Sequence, residues 1–166
     1  MRNARLFRIV LNFWPCIRGT GGRVVHLSPD YRELDVRLPL NWRTRNRVGT
    51  IFGGSIYASI DPFYMLMFME ILGKDFVVWD KGAAIRFKRP GTKTLYAKLR
   101  LTPEVTEEVK KKARELGEYT FDLPLRYLDE DGVEYAEIRK TLYVATKEFY
   151  RAKIAKRDAG GTPSSK

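Results

Sequence analysis

The sequence predicts an α+β domain in which an antiparallel sheet wraps around one long, buried central helix. Residues 55–72 form the longest apolar stretch of the chain. Its length favours a helix, because strands span about 4–8 residues. Six shorter β-rich stretches flank it, and most of them alternate apolar with polar residues, which is typical of strands with one buried face. An apolar helix must be covered, and a sheet with one apolar face can cover it.

Length and composition are those of one ordinary globular domain. The chain has 166 residues, of which 44% are hydrophobic and 31% charged, enough for a sizeable core. The single Cys16 excludes an internal disulfide, and together with the single His26 it provides no zinc cluster. We therefore expect no metal and no separate cofactor, a structural His26, and a cytoplasmic protein. No secretory signal peptide is predicted, because Arg8 and Asn12 interrupt the N-terminal apolar patch.

The net charge of +11 is concentrated at the two ends of the chain. Residues 1–23 hold five arginines and no acid, and residues 147–166 hold six basic and two acidic residues. Such ends can contact nucleic acid or anionic lipid, or they can serve only to keep the protein in solution. We favour solvated ends and expect no nucleic-acid partner, because basic and aromatic residues do not interleave as they do in nucleic-acid modules.

Three segments are predicted. Residues 1–19 contain an N-terminal amphipathic helix, since apolar side chains recur at helical spacing over residues 4–14 until Pro15. We expect it to pack on the domain; docking on a partner subunit or a membrane surface is the alternative. Residues 20–146 form the main domain, and residues 147–166 form a basic, flexible tail.

The main domain is predicted to contain three pairs of strands and a second helix. The first pair, residues 23–27 and 34–40, is expected to be a hairpin. A surface helix is predicted from the cap Thr102 and Pro103 to Gly117. Lys140 falls on the apolar face of the last strand, which predicts a bulge or a solvent-facing end there. Pro124 predicts an edge or bulge position, because proline cannot donate a ladder hydrogen bond.

The start of the central helix is the first candidate for chemistry. Gly53 and Gly54 would leave backbone N–H groups bare at a helix N-terminus, where a developing oxyanion is stabilised. Asp61 follows Gly54 by seven residues, nearly two turns, and so lies on almost the same face about 10 Å further along. Tyr57 and Tyr64, at i−4 and i+3, are expected to reach Asp61.

Pro62 is expected to kink this helix beside Asp61. Alternatively, Asp61 serves as the cap of a helix that begins at Pro62. A membrane span is disfavoured, because residues 56–72 fall short of the roughly 20 residues that a span needs and a central aspartate opposes insertion. We therefore predict no transmembrane segment.

One motif carries a resemblance to a known family. Asn46, Gly49, the pair Gly53–Gly54 and Asp61 have the spacing seen in hotdog-fold acyl-CoA thioesterases of the phenylacetate-thioesterase type. The chain resembles the DUF4442 branch of that superfamily more closely still. The segment FKRPG at 87–91 also resembles the family's region after the central helix.

The resemblance implies a hotdog fold and hydrolysis of an acyl-CoA thioester. It implies that Asp61 activates water or attacks the carbonyl, that the Gly54 backbone holds the oxyanion, and that Asn46 orients the loop or the substrate. Coenzyme A would be part of the substrate and not a cofactor. It further implies a dimer, or a dimer of dimers, that places a neighbour's Asp61 opposite each glycine loop. The remaining candidate substrate contacts are Gly49, Phe52, Gly53, Tyr57, Tyr64, Arg86, Lys88 and Arg89, of which the three basic residues would meet the phosphates of coenzyme A.

The chain departs from the family pattern at one position of the motif. Phe52 stands where the related thioesterases have histidine. This keeps an acyl-binding architecture but removes a group that helps to orient the thioester. A non-catalytic acyl or acyl-CoA binding protein is therefore the alternative function.

Overall fold

Six strands form a single antiparallel sheet, seen in a computed structural model that describes residues 3–160. The strands lie in the order β1-β2-β4-β5-β6-β3. Their bounds are β1 Arg23–Leu27, β2 Glu33–Leu38, β3 Phe76–Phe87, β4 Leu95–Arg100, β5 Glu118–Leu128 and β6 Glu134–Thr146. The helices are α1 Ala4–Phe13, α2 Pro15–Gly19, α3 Gly53–Ala58, α4 Phe63–Leu72, α5 Pro103–Leu116 and α6 Lys147–Gly160.

The predicted single central helix is two helices. α3 ends at Ala58 and α4 begins at Phe63, with a turn between them that contains Asp61 and Pro62. Pro62 has no N–H to donate and clashes with the preceding turn of a helix, which explains the break. Pro62 occupies the cap position of α4, and among the described residues no side chain caps that helix. The alternative role of Asp61 as a helix cap is therefore wrong.

The sheet wraps around α3 and α4, as the alternating patterns predict. The two helices contribute buried side chains to the core, and the facing strands contribute the inward member of each alternating pair. The buried helix residues include Ile56, Phe63, Met67 and Phe68, and the buried strand residues include Val36, Leu38, Ala97, Leu99, Ile138, Leu142 and Val144.

The sheet is loosely joined between β4 and β5. These strands pair only at Tyr96 with Leu128 and at Ala97 with Tyr127, whereas β5 and β6 pair along nearly their whole length. Pro124 pairs with Arg139 of β6 and lies in the part of β5 that has no β4 partner, so the predicted edge position is confirmed.

The N-terminal helix packs on the domain, as expected. Phe7 and Leu11 of α1 are buried, and the Asn12 side chain bonds both the N–H and the carbonyl of Val24 in β1, at 2.8 and 2.9 Å. Pro15 ends α1 and starts the short α2. None of the described helices is long and apolar enough to cross a membrane.

The C-terminal segment differs from the predicted flexible tail. Residues 147–160 form α6, whose Phe149 ring lies beside Gly117 at the end of α5 and whose Lys153 forms an ion pair with Glu118 of β5. The apolar residues of this segment recur only weakly at helical spacing, so the sequence did not predict a helix with these tertiary contacts. Residues 161–166 of the predicted tail, and residues 1–2 of the predicted N-terminal segment, lie outside the described part of the chain.

Candidate functional site

Asp61 lies at the break between α3 and α4 and is held by two donors. Its Oδ1 atom accepts a hydrogen bond from the Tyr57 hydroxyl, at 2.5 Å, and another from Lys140 Nζ, at 2.6 Å. The Tyr57 contact confirms the expected i−4 relation. The Asp61 side chain remains 43% exposed, so its position is fixed by the fold while solvent reaches it.

Lys140 contacts Asp61 and two further polar side chains. The prediction that Lys140 lies at a bulge or at a solvent-facing end of its strand is wrong. The side chain is completely buried rather than turned to solvent, and Lys140 pairs regularly with Ala83 of β3 and Leu123 of β5. Its ammonium lies 3.1 Å from Asp80 Oδ1 and 3.2 Å from the Tyr57 hydroxyl. We name Tyr57, Asp61, Asp80 and Lys140 the lysine cluster.

The nearby bulge belongs to the neighbouring strand. The register between β3 and β6 shifts between Asp80 and Gly82, which leaves Lys81 as the extra residue of β3. A bulge re-aims the side chains on either side of it. Here Asp80 lies in register with Leu142 and Ala83 with Lys140, so Asp80 approaches Lys140 diagonally across the strands.

Burial and charge act in opposite directions on the pKa values of the lysine cluster. Burial by itself would lower the pKa of Lys140, but its hydrogen bonds to Asp61 and Asp80 raise that pKa above the ordinary value. Burial raises the pKa of Asp80, and the hydrogen bond from Lys140 opposes this rise. Burial, followed by the hydrogen bond to Asp61, raises the pKa of Tyr57. Lys140 is therefore protonated at neutral pH.

Two charged residues in otherwise apolar segments of the sequence could have indicated that Lys140 pairs with Asp61. Lys140 is a cation on the apolar face of a strand, and Asp61 is a carboxylate in an apolar helical stretch. A buried charge requires a partner. Lys140 and Asp61 provide each other with a partner of opposite charge, but only the register of β6 against the helices shows that the two side chains are in contact.

Tyr64, the other tyrosine expected at Asp61, has a different partner. Its hydroxyl donates to the carbonyl of Pro124, at 3.1 Å, and burial raises its pKa to about 12. The i+3 relation to Asp61 does not hold because the chain turns between Asp61 and the start of α4.

Asn46 shapes the loop that precedes the glycine pair. Its Oδ1 accepts from the N–H groups of Val48 and Thr50, at 3.1 and 3.0 Å, and its Nδ2 donates to the Thr50 hydroxyl, at 2.9 Å. Gly49 has a positive φ of 88°, a conformation that favours glycine. Both residues therefore act on the shape of the loop, and the Asn46 side chain is occupied within it.

The glycine pair starts α3 beneath two aromatic rings. A Cβ atom on Gly54 would lie 2.2 Å from the Phe52 ring, and one on Gly53 would lie 3.0 Å from the Phe87 ring. A side chain at Gly54 would therefore force the Phe52 ring to move, whereas one at Gly53 would require only a small shift of the Phe87 ring. Phe52 is more than half exposed, so its ring covers the helix N-terminus from the solvent side.

A groove of about 510 Å³ joins the glycine loop to the FKRPG segment. It brings together Gly53 and the predicted substrate contacts Lys88 and Arg89, although Lys88 also pairs with Glu134 and Glu137, at 3.0 and 3.1 Å. Arg86 is exposed on β3, opposite Glu137. Asp61 is absent from the described lining of this groove, so one chain does not bring Asp61 and the groove into a single pocket.

His26 lies apart from these residues on the exposed face of β1. Its Nε2 atom is 3.7 Å from Glu33 on the neighbouring strand.

An antiparallel six-stranded sheet wrapped around the helices that follow a glycine-rich loop defines a hotdog-fold protein. The chain belongs to the family described as "Domain of unknown function (DUF4442)", whose model matches residues 2–144. Comparison with curated proteins gives no match.

Similar folds occur among solved structures. A Pseudomonas aeruginosa protein of unknown function described as a "Probable Thioesterase" is 21% identical, with a TM-score of 0.75, over 86% of this chain and 95% of the other. A thioesterase from Haemophilus influenzae is 14% identical, with a TM-score of 0.64, over 88% of this chain and 92% of the other. At these identities the likeness shows the shared fold.

Proposed function

We propose that the protein hydrolyses an acyl-CoA or closely related thioester, with Asp61 as general base or nucleophile. The observation that carries this proposal is the solvent-accessible Asp61 carboxylate, held by the buried Lys140 and by Tyr57 at a helix break. A carboxylate so constrained is ready to act without first losing rotamer freedom. The fold shared with thioesterases supports the same reaction class.

The reaction requires only the substrate and water. A water oxygen attacks the thioester carbonyl while Asp61 accepts the water proton, and the carbonyl oxygen becomes an oxyanion beside the Gly54 backbone. The carbon–sulfur bond then breaks, the thiolate takes up the proton that Asp61 accepted, and a carboxylic acid and free coenzyme A result. In the nucleophilic variant, the Asp61 carboxylate attacks the thioester carbonyl and the carbon–sulfur bond breaks, so that the thiolate leaves and a mixed anhydride forms. Water then hydrolyses the anhydride, which releases the carboxylic acid, restores the Asp61 carboxylate and supplies the proton that the thiolate takes up.

A second copy of the chain completes the proposed site. β3 is an edge strand of twelve residues, so its outer backbone groups are available for pairing. Beside it, a groove of about 830 Å³ between α4 and β3 is lined largely by apolar side chains, including Met65, Leu66, Met69, Val77 and Trp79. Antiparallel pairing of two β3 strands would bury this groove and bring one subunit's Asp61 towards the other's glycine loop.

The groove at the glycine loop is proposed to bind coenzyme A. Lys88 and Arg89 line it together with the apolar Ile51, Ile56 and Phe87. Fixed cations recognise phosphate, and an apolar wall suits the acyl or pantetheine portion of the substrate.

The test is release of free thiol from a panel of acyl-CoA thioesters. We expect turnover by the wild type and a loss of at least about 100-fold in Asp61→Asn, the usual scale for removal of a general base. Asp122→Asn is a matched control, because Asp122 also accepts from a hydroxyl, that of Thr141, and faces a cation, Arg139. Circular dichroism would establish that both variants are folded. Equal turnover of wild type and Asp61→Asn would contradict the catalytic role.

A non-catalytic acyl-CoA binding protein is the second candidate, and Phe52 is the observation that favours it. Its ring packs against Gly54 where the related thioesterases have histidine, so it covers the helix start without offering a polar group. This candidate predicts that acyl-CoA binds, as measured by calorimetry, while the wild type releases no thiol. On the same reading, Phe52→His is expected to bring thiol release above background.

A further inference from the structure

Helix α1 is apolar on two faces, and only one of them is covered. Phe7 and Leu11 pack into the core, whereas Leu6, Ile9, Val10 and Phe13 point outward. Leu6 is 61% exposed and Phe13 is 70% exposed. Residues 6, 9, 10 and 13 follow helical spacing, so they form one continuous stripe that Trp14 extends. We name these five residues the outer stripe.

A stripe of this kind is unusual on a protein surface that faces only water. Single exposed apolar residues are common, but contiguous exposed apolar patches mark sites of interaction. The core does not require the outer stripe, because the buried face of α1 already anchors the helix to β1. The outer stripe is therefore available to a partner.

The surroundings of the outer stripe are strongly basic. Its described neighbours in sequence include Arg5, Arg8, Arg18 and Arg23, and the chain has no acidic residue before Asp30. Charge of a single sign beside an apolar stripe selects partners of the opposite charge.

The loop at residues 41–48 adds to the same region. It holds Arg43, Arg45 and Arg47 with no acid, and its Trp42 is 86% exposed. The guanidinium of Arg43 reaches the carbonyl of Arg18 in α2, at 3.5 Å, and Thr44 packs against Gly21. The loop is therefore attached to the end of the N-terminal segment.

A second copy of the chain does not fit this surface, since it would bring a second set of arginines against the first. Residues 161–166 contain no large apolar side chain, so their composition does not match an apolar stripe. A bilayer with anionic headgroups fits both properties: it accepts apolar side chains below the headgroups and attracts arginine at their level. Tryptophan and arginine are also the side chains that anchor proteins at this depth.

We propose that α1 and the loop at residues 41–48 form a docking surface for an anionic lipid bilayer, with the outer stripe inserted and the arginines at the headgroups. A ten-residue helix is about 15 Å long and lies in the plane of the interface. This inference is independent of the thioester chemistry.

The test is co-sedimentation of the full chain with vesicles of phosphatidylcholine alone and of phosphatidylcholine with 30% phosphatidylglycerol, a composition chosen for roughly physiological anionic content. We expect binding only to the anionic vesicles and weakening with added salt. Leu6→Ser with Phe13→Ser should reduce the affinity at least about tenfold. Arg5→Gln with Arg47→Gln should reduce it about fivefold for each arginine.

Matched controls lie on other helices. Leu116 of α5 is 63% exposed, close to Leu6, so Leu116→Ser should leave binding unchanged, and Arg151→Gln with Arg157→Gln should do the same. Failure of the wild type to bind anionic vesicles would overturn the proposal, as would equal binding to neutral vesicles. Sedimentation velocity without lipid provides a further test of the membrane-docking proposal. If the double variant Leu6→Ser with Phe13→Ser dissociates an oligomer, the outer stripe is a subunit interface and the proposal is overturned.

Discussion

Lys140 places a positive charge on the inner face of a strand among apolar neighbours. Moving an ammonium ion into such surroundings costs several kcal/mol, which here is offset by Asp61, Asp80 and the Tyr57 hydroxyl. Apolar residues of similar volume often pack equally well in place of a buried ion pair, so stability alone does not account for this arrangement. It holds the Asp61 carboxylate in one orientation at an accessible point, as the proposed role of Asp61 requires.

The energetic link between Lys140 and Asp61 can be measured by a double-mutant cycle. We expect Asp61→Asn and Lys140→Met each to lower the free energy of unfolding by about 1–3 kcal/mol. Asp61→Asn removes a negative charge beside the buried Lys140, and Lys140→Met removes the cation that faces both Asp61 and Asp80. The double variant should lose less than the sum, with a coupling of about 1–3 kcal/mol in urea denaturation.

The control pair is Asp122 and Arg139, whose side chains are both largely exposed and lie 3.6 Å apart. Its coupling should stay below about 1 kcal/mol. Additive effects at Asp61 and Lys140 would show that their contact does not stabilise the fold.

The raised pKa of Lys140 predicts how stability changes with pH. The folded state binds this proton more tightly than the unfolded chain does, so the stabilisation is complete below the ordinary value of 10.5 and is lost as pH rises through the higher folded pKa. As pH rises above the ordinary value of 10.5, wild type should therefore lose more unfolding free energy than Lys140→Met. Lys111→Met, at an exposed position of α5, should follow the wild type; parallel curves for wild type and Lys140→Met would contradict the prediction.

At the scale of elements, helix α6 is stabilised by its contacts with the rest of the domain. Its own sequence does not contain a strongly apolar face. Gly117 ends α5 with a φ of 81°, and its missing side chain leaves room for the Phe149 ring. Tyr143 of β6 contacts Tyr150, with ring centroids 6.3 Å apart. The basic segment that the sequence predicts to be a flexible tail is thus attached to the outside of the sheet by aromatic contacts.

Replacing Gly117 with alanine tests this attachment. The change introduces backbone strain and places a Cβ atom 2.2 Å from the Phe149 ring, so we expect a loss of about 2–4 kcal/mol in thermal or urea unfolding. Gly132→Ala is the control: Gly132 has a φ of 79° and no described heavy atom within 4 Å of the added Cβ, and should cost only about 1 kcal/mol. Equal losses would mean that Phe149 does not hold α6 in place.

At the scale of the whole molecule, the twelve-residue strand β3 leaves a long open edge on the sheet. Trp79 and Met69, on either side of the groove between β3 and α4, are about half exposed. Proteins commonly cover or charge an edge of this length. Pairing with a second copy would cover it and would also complete the proposed site.

A dimer through β3 predicts a response to charge at the groove. We expect the wild type to sediment as a dimer or a larger even-numbered oligomer at micromolar concentration, whereas Trp79→Lys with Met69→Lys shifts it towards monomer, because a cation in a buried interface is costly. Thiol release, where the wild type shows it, should fall together with the oligomer. Leu116→Lys, on the exposed side of α5, should change neither; a monomeric wild type would contradict this assembly.

The local patterns of the sequence determined most of the fold. Strand alternation, the Thr102 and Gly117 helix boundaries, and the Pro15 stop are short-range signals, since capping and period depend on neighbouring residues. The resemblance at Asn46–Asp61 and the expected contact between Tyr57 and Asp61 are also local. These features could be predicted because each is confined to a few turns of the chain.

Tertiary structure alone decided what Asp61 contacts. Lys140 is 79 residues away in sequence, and whether its side chain faces solvent or the core depends on the register of β6 between β3 and β5. The partner of Tyr64, the helical state of residues 147–160 and the exposure of one apolar face of α1 likewise depend on packing between distant segments. The sequence by itself determined the elements and the motif; long-range packing decided which charges meet and which apolar faces stay open, because burial is a property of the assembled fold.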